Sequence, residues 1–160
     1  MSETVHIETT IFSFYHDART SPAVVAMRQW TREWWEAHGN RYELVTSTAV
    51  LAELEAGGMP HRPKAPAMAK RLPAIPVEDE ISEIVEAYIR HRVMPAHPLG
   101  DALHLAMASF HKLDYLLTWN CKHLANANKF AHIRRVNTLL GLPMPALVTP
   151  LELIGGEVTT

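Results

Sequence analysis

The sequence predicts an α/β chain folded as a three-layer α/β/α sandwich with a mainly parallel central sheet. Three observations predict it. β-prone runs alternate with segments of helical spacing along the chain, Tyr115-Leu116-Leu117-Thr118-Trp119 is apolar almost throughout, and Gly, Pro or Asn punctuates most junctions. A strand that is apolar on both faces belongs inside a parallel sheet covered by helices on both sides. With 160 residues, 48% of them hydrophobic, the chain has the size of one ordinary domain, 1–160, and needs no disulfide or structural metal to build a core.

Val5 to Glu8 reads as the first strand. Turn signals run from Asp17 to Pro22, and Ala23 to His38 carries Val24, Met27, Trp30 and Trp34 at helical spacing. Gly39-Asn40 stops that helix and Tyr42 to Thr46 is β-prone. Ser47 can then cap a helix through Ala49, Val50, Leu51 and Leu54 that ends at Gly57-Gly58. Met59 to Pro66, with three prolines, reads as an exposed connection before a short helix at Ala67 to Leu72. Ile75 to Val77 is a third strand, and Glu80 to Arg92 is a helix with an apolar stripe of Ile81, Ile84, Val85 and Tyr88. After a loop at Pro95 to Gly100, Asp101 opens a helix that runs through Phe110, followed by the Tyr115 to Trp119 strand, which Asn120 ends. Lys129 to Leu140 is helical and stops at Gly141, Ala146 to Thr149 is the last strand, and Pro150 to Ile154 is a final short helix.

The totals exclude several classes. A formal charge of -2 argues against a uniformly basic nucleic-acid binder and leaves only local patches for phosphate. The single Cys121 cannot form an internal disulfide, which fits a reducing compartment. MSETVHIETT lacks a basic stretch leading into an apolar one, and no run approaches the roughly 20 apolar residues of a membrane span. The expectation is a cytoplasmic protein that engages no membrane.

Ligands of parallel sheets bind beyond the carboxyl ends of the strands. Glu8, Thr9 and Thr10 lie where the first strand ends, Glu53 sits in the helix after the second, Asp101 opens a helix, and Thr118 to Asn120 closes the Tyr115 strand. Three carboxylates and a carboxamide on one edge repel one another unless a cation lies among them. Oxygen-only donors suit Mg²⁺ or Mn²⁺ rather than Zn²⁺, and Mg²⁺ binds through one or two carboxylates plus substrate phosphate, which points to phosphodiester hydrolysis. Singly, each residue has a blander reading. Glu53 suits a solvated helix face, Asp101 suits a helix N-terminus, Thr9, Thr10 and Ser47 suit caps or turns, and Asn120 suits a strand stop. The combination, in order, carries the functional reading.

These residues resemble a known family. Ile7-Glu8-Thr9-Thr10 resembles the opening motif of PIN domains, Val50-Leu51-Ala52-Glu53-Leu54 their second acidic motif, and Asp101-Ala102-Leu103-His104-Leu105-Ala106 the third. Tyr115-Leu116-Leu117-Thr118-Trp119-Asn120, followed by Cys121-Lys122-His123-Leu124, resembles the fourth, and the order agrees across about residues 5 to 150. The resemblance implies a PIN-like fold and divalent-metal-dependent endoribonuclease activity. Among small stand-alone members it implies service as the VapC-like toxin of a toxin-antitoxin pair, with RNA as substrate, an antitoxin partner and homodimerisation. By position, Glu8, Glu53 and Asp101 hold the metal, Asn120 takes the fourth polar position, Thr10 orients the first carboxylate or contacts metal-bound water, and Thr118 supports the site. The sequence departs from the family in two places: Glu8 stands where Asp is usual, and Asn120 and His123 stand where many members place Asp. Two other readings stay open, a non-catalytic PIN-like module that binds RNA or protein, and a generic scaffold whose acids are caps and surface charges.

The ten histidines show no zinc-ligand spacing, so scattered surface histidines are the favoured reading, with His104 a packed or exposed helix residue one turn beyond Asp101. Trp30, Trp34 and Trp35 fit core packing better than a stacking platform, with Trp35 the most exposed. The basic clusters at His61-Arg62-Pro63-Lys64, Lys70-Arg71, Arg90-His91-Arg92 and Lys129 with Arg134-Arg135 read as solvated faces. Lys122 and His123, just beyond Asn120, are the best placed to meet substrate phosphates.

Overall fold

The computed structural model of the chain describes residues 2–57, 63–96 and 100–154. Gly58 and the Met59 to Arg62 part of the proline-rich connection, with its His61-Arg62 pair, lie outside the described residues. So do residues 97–99 of the expected Pro95 to Gly100 loop.

The chain runs β1 (Thr4–Ile7), α1 (Thr9–Tyr15) and α2 (Pro22–Glu33), the last continued by a π turn at Trp34–His38 and a 3-10 turn at Gly39–Arg41. Then come β2 (Glu43–Ser47), α3 (Thr48–Ala56), α4 (Lys64–Ala69), β3 (Ala74–Ile75), α5 (Glu80–Arg90) and α6 (Gly100–Phe110). β4 (Tyr115–Leu117), α7 (Ala127–Leu139), β5 (Ala146–Val148) and α8 (Pro150–Ile154) complete it. The five strands form one sheet in the order β3-β2-β1-β4-β5, every pair parallel. This is the α/β/α sandwich that the alternating pattern predicts.

Strand periodicity distributes side chains between two cores. Val5, Ile7 and Leu117 pack with Ile11, Phe12, Trp34 and Val50 on one face. Leu116 and Leu147 pack with Ile81, Tyr88, Leu105, Met107 and Ile133 on the other. Each such side chain contributes about 1.5–3 kcal/mol on full burial. His6, between Val5 and Ile7, is fully buried on the face where α6 lies, its ring 6.1 Å from that of His104.

Local chemistry sets the element ends. The Ser47 hydroxyl accepts from Val50 N–H at 3.1 Å and caps α3, as its position suggests. Gly141, at φ +71, closes α7 in a conformation that costs glycine nothing. Two differences from the sequence reading have clear causes. α1 goes unassigned there because Thr-Thr-Ile-Phe-Ser-Phe-Tyr is β-branched and aromatic, with poor intrinsic helix preference; the Glu8 side chain caps it by accepting from Thr10 N–H. α4 begins at Lys64, before Pro66, because proline is tolerated within a first helical turn.

From β1 the chain steps outward to β2 and β3, then returns through α5 and α6 to place β4 on the other side of β1. The connections diverge between β1 and β4, and they open a crevice at the carboxyl ends of those two strands.

Candidate functional site

Glu8 follows β1 directly and stands at that crevice, 4% exposed. Its carboxyl group accepts from Thr10 N–H at 3.0 Å, from the Thr10 hydroxyl at 2.6 Å and from the Thr118 hydroxyl at 2.5 Å. Both hydroxyls are oriented from behind, since Trp119 N–H donates to Thr10 Oγ1 at 2.8 Å and Asn120 N–H donates to Thr118 Oγ1 at 2.9 Å. Each threonine accepts one backbone proton and turns its own toward Glu8. Three donors around one carboxyl group suit a carboxylate, which only accepts.

Glu53, from the second turn of α3, approaches from the neighbouring strand's side with 43% of its side chain exposed. The Thr9 hydroxyl donates to its Oε1 at 3.1 Å. The first turn of α6 passes so near that a Cβ on Gly100 would lie 3.1 Å from Glu53 Oε2, and glycine permits that approach. Burial pushes the Glu53 carboxyl up, but His104 and the Thr9 hydroxyl outweigh it and hold the group below the usual carboxylate range.

His104 sits beneath both acids, 2% exposed, its Nε2 in close ionic contact with Glu53 Oε1 and 4.0 Å from Glu8 Oε2. Neither ring nitrogen meets the geometry of a hydrogen bond, and the contact with the acids is an ion pair when the imidazole is protonated. Burial opposes protonation, yet Glu53, Glu8 and Asp101 together raise the imidazole above its ordinary value. The surface reading of the histidines is thus wrong for His6, which β1 carries into the core, while His104, read as a packed or exposed helix residue, is packed.

Asp101 opens α6 and accepts from Asn120 Nδ2 at 2.8 Å. Asn120 Oδ1 accepts from His123 N–H at 3.0 Å, which fixes the orientation of the carboxamide. Lys129 of α7, which sequence reasoning left in a surface cluster, lies near enough for the Asp101 charge to act on it. Its ammonium is nevertheless lowered by burial and is 3.5 Å from Met94 Sδ. Among the described residues, no ion pair ties the exposed Lys122 ammonium to the acids. The His123 backbone, rather than its ring, joins the network. Trp35 is half-buried rather than exposed, since Phe12, Tyr15 and Trp34 pack edge-on around it.

The structure therefore brings Glu8, Glu53, Asp101 and Asn120 to one edge, together with Thr9, Thr10 and Thr118. His104 had one sequence signal, its position three residues after Asp101 on the same helix face. Among the described residues, no three His, Cys, Asp or Glu side chains are placed to hold a metal ion as they stand. The donor chemistry still fits a hard cation, because Mg²⁺ keeps most of its waters and uses one or two carboxylates. Glu53 and the partly exposed Asp101 are the ones that solvent reaches.

No protein-family model and no curated protein matches the chain. Among solved structures it is similar to a toxin-antitoxin complex from Klebsiella pneumoniae, with 21% identity and a TM-score of 0.54 over 78% of this chain and 93% of that one. The likeness is one of fold. It places this sheet and its helices alongside a fold found in such a complex, and among the described residues no helix is long and apolar enough to cross a membrane.

Proposed function

We propose that the chain is a Mg²⁺- or Mn²⁺-dependent endoribonuclease of the PIN-like, VapC type, acting as the toxin of a toxin-antitoxin pair. One observation carries this reading: Glu8, Glu53, Asp101 and Asn120, which match the four PIN motifs in order, stand together at the carboxyl edge between β1 and β4. The fold shared with a toxin-antitoxin complex supports it.

In this reading Glu53, Asp101 and Glu8 hold the cation, which when bound polarises the phosphodiester and activates the attacking water. Thr10 and Thr118 aim Glu8, and their three hydrogen bonds keep its longer side chain in one place where the family usually has Asp. Asn120 orients Asp101, Lys129 brings positive charge to the Asp101 side of the edge, and Lys122 and His123 flank the RNA path. The partners are RNA, an antitoxin and a second copy of the chain, in the cytoplasm.

Incubation with mixed-sequence single-stranded RNA in Mn²⁺ or EDTA, alongside Asp101→Asn, tests the reading. Asn keeps the oxygen that accepts from Asn120, so the variant is expected to melt like the wild type. Cleavage is expected from the wild type with metal and from neither the variant nor the EDTA sample. Equal cleavage by the folded variant refutes the assignment. A second reading, a non-catalytic module binding RNA or protein, draws on His104, whose imidazole is held above its ordinary value by the acids and occupies the space between Glu8 and Glu53. Metal-independent RNA binding without cleavage selects it.

A further inference from the structure

At the far end of α1 from the carboxylates lies a groove of about 410 Å³ lined by Tyr15, His16, Trp35, Lys64, Met68 and Arg71 among others. Lys64 and Arg71 are exposed, and neither has an ion-pair partner among the described residues, whereas neighbouring Lys70 is paired with Glu55 at 3.1 Å. A third cation, Arg32, lies 5.2 Å from the centre of the Tyr15 ring. Among the described residues, His16 Nε2 is buried there without a hydrogen-bond partner and is free to bond with whatever enters the groove. Burial first, then the charges of Arg32 and Lys64, keep this imidazole below its ordinary value, so both cations bear on the same ring. The acid at the rim is Glu36, which accepts the Tyr15 hydroxyl at 2.7 Å.

This lining calls for an anion that also carries a flat apolar group. The rings of Tyr15 and Trp35, which both line the groove, stand 6.3 Å apart and tilted by 69°. An acidic peptide satisfies the cations but leaves the rings unused, whereas a single-stranded nucleotide satisfies both. Thr9, which contacts Glu53, and Tyr15 are the two ends of α1, separated by six helical rises or about 9 Å along the axis. A strand crossing the carboxylates therefore reaches the groove without leaving the surface.

We infer that this groove is a subsite for the RNA strand flanking the reacting phosphate, in which Lys64 and Arg71 take a phosphate and Tyr15 with Trp35 receives a base. The inference rests on the ribonuclease reading and extends it to one path across the protein.

The test is fluorescence anisotropy with a short labelled single-stranded RNA in EDTA, so that binding is read without cleavage. It compares the wild type, Lys64→Glu with Arg71→Glu, and a control carrying Arg134→Glu with Arg135→Glu on α7. All four substituted residues lie on helix or turn surfaces, and circular dichroism checks the folds. The Lys64/Arg71 variant is expected to bind about tenfold more weakly near 0.1 M salt, with a salt dependence reduced by about 0.7 in slope for the one phosphate lost, while the control is unchanged. Photocrosslinking of bromouridine-substituted RNA is expected to mark the peptides holding Tyr15 or Trp35. If wild type and groove variant bind equally, the subsite is overturned and the ribonuclease reading stands. If the wild type binds no RNA in EDTA or Mn²⁺, both fall, and binding of poly-glutamate by wild type but not by the groove variant would then assign the groove to an acidic protein partner.

Discussion

Replacing His6 with Leu removes a polar side chain from a position that makes no use of its polarity. His6 is fully buried in β1, and neither ring nitrogen has a hydrogen-bond partner. Burial, reinforced by His104 and His111, pushes the imidazole down to about 3. The folded protein thus keeps His6 neutral, while the unfolded chain takes up a proton below about 6.5. A depressed folded value means that the contribution to stability is intact above 6.5 and is lost as the pH falls. Between neutrality and about pH 5 the loss covers about 1.5 pH units, or about 2 kcal/mol. His104 has the opposite sign: its raised value stabilises the fold at low pH and is lost as pH rises through it, but it is present in both proteins and largely cancels from their difference. Urea unfolding at about pH 7.5 and about pH 5 measures the effect. The variant should be the more stable at both, and its advantage should grow by about 2 kcal/mol at the lower pH. An advantage that does not change with pH would refute the argument, because it would show that the folded protein accommodates the protonated imidazole as readily as the unfolded chain does.

Thr118→Val keeps the shape but deprives Glu8 Oε1 of a donor and Asn120 N–H of its acceptor; a cost of about 1–3 kcal/mol and weaker Mn²⁺ binding are expected by urea unfolding and calorimetry. Gly100→Ala places a Cβ against Glu53 Oε2, and because that side chain is half exposed it can yield. Melting should change little while RNA cleavage falls by about tenfold or more. Tyr88→Phe removes the hydroxyl that donates to Asn137 Oδ1 at 2.6 Å, far from the acids. It should cost about 1–3 kcal/mol in unfolding and leave cleavage per folded molecule unchanged.

The strands were legible because parallel strands buried on both faces are written as short apolar runs, and Ser47 and Gly141 marked their helix ends by ordinary cap chemistry. Glu8 was legible as an acid at a strand end, and Glu53 and Asp101 as acids in the helices α3 and α6. Their partners were not. Thr118 lies 110 residues from the Glu8 it orients, and a hydroxyl after a strand looks the same in sequence whether it meets solvent or a carboxylate. His104 shows the same limit. Its spacing from Asp101 gave its helix face, but only the packing of α6 over β1 decides that this face is buried against two acids. α1 escaped notice because its stability comes from burial of Ile11 and Phe12 and from the Glu8 cap, neither of which residue preference reports.

The reach of that Glu8 hydrogen bond also sets a clock. Residues separated by 110 positions meet only after the intervening chain has been made, and at about 5–20 residues per second this takes roughly 5 to 20 s. During that interval Glu8 leaves the ribosome without the hydroxyl of Thr118, and β1 has no β4 beside it. On the proposed ribonuclease reading, a chain assembled in this order stays inert until β4 has left the ribosome and paired with β1.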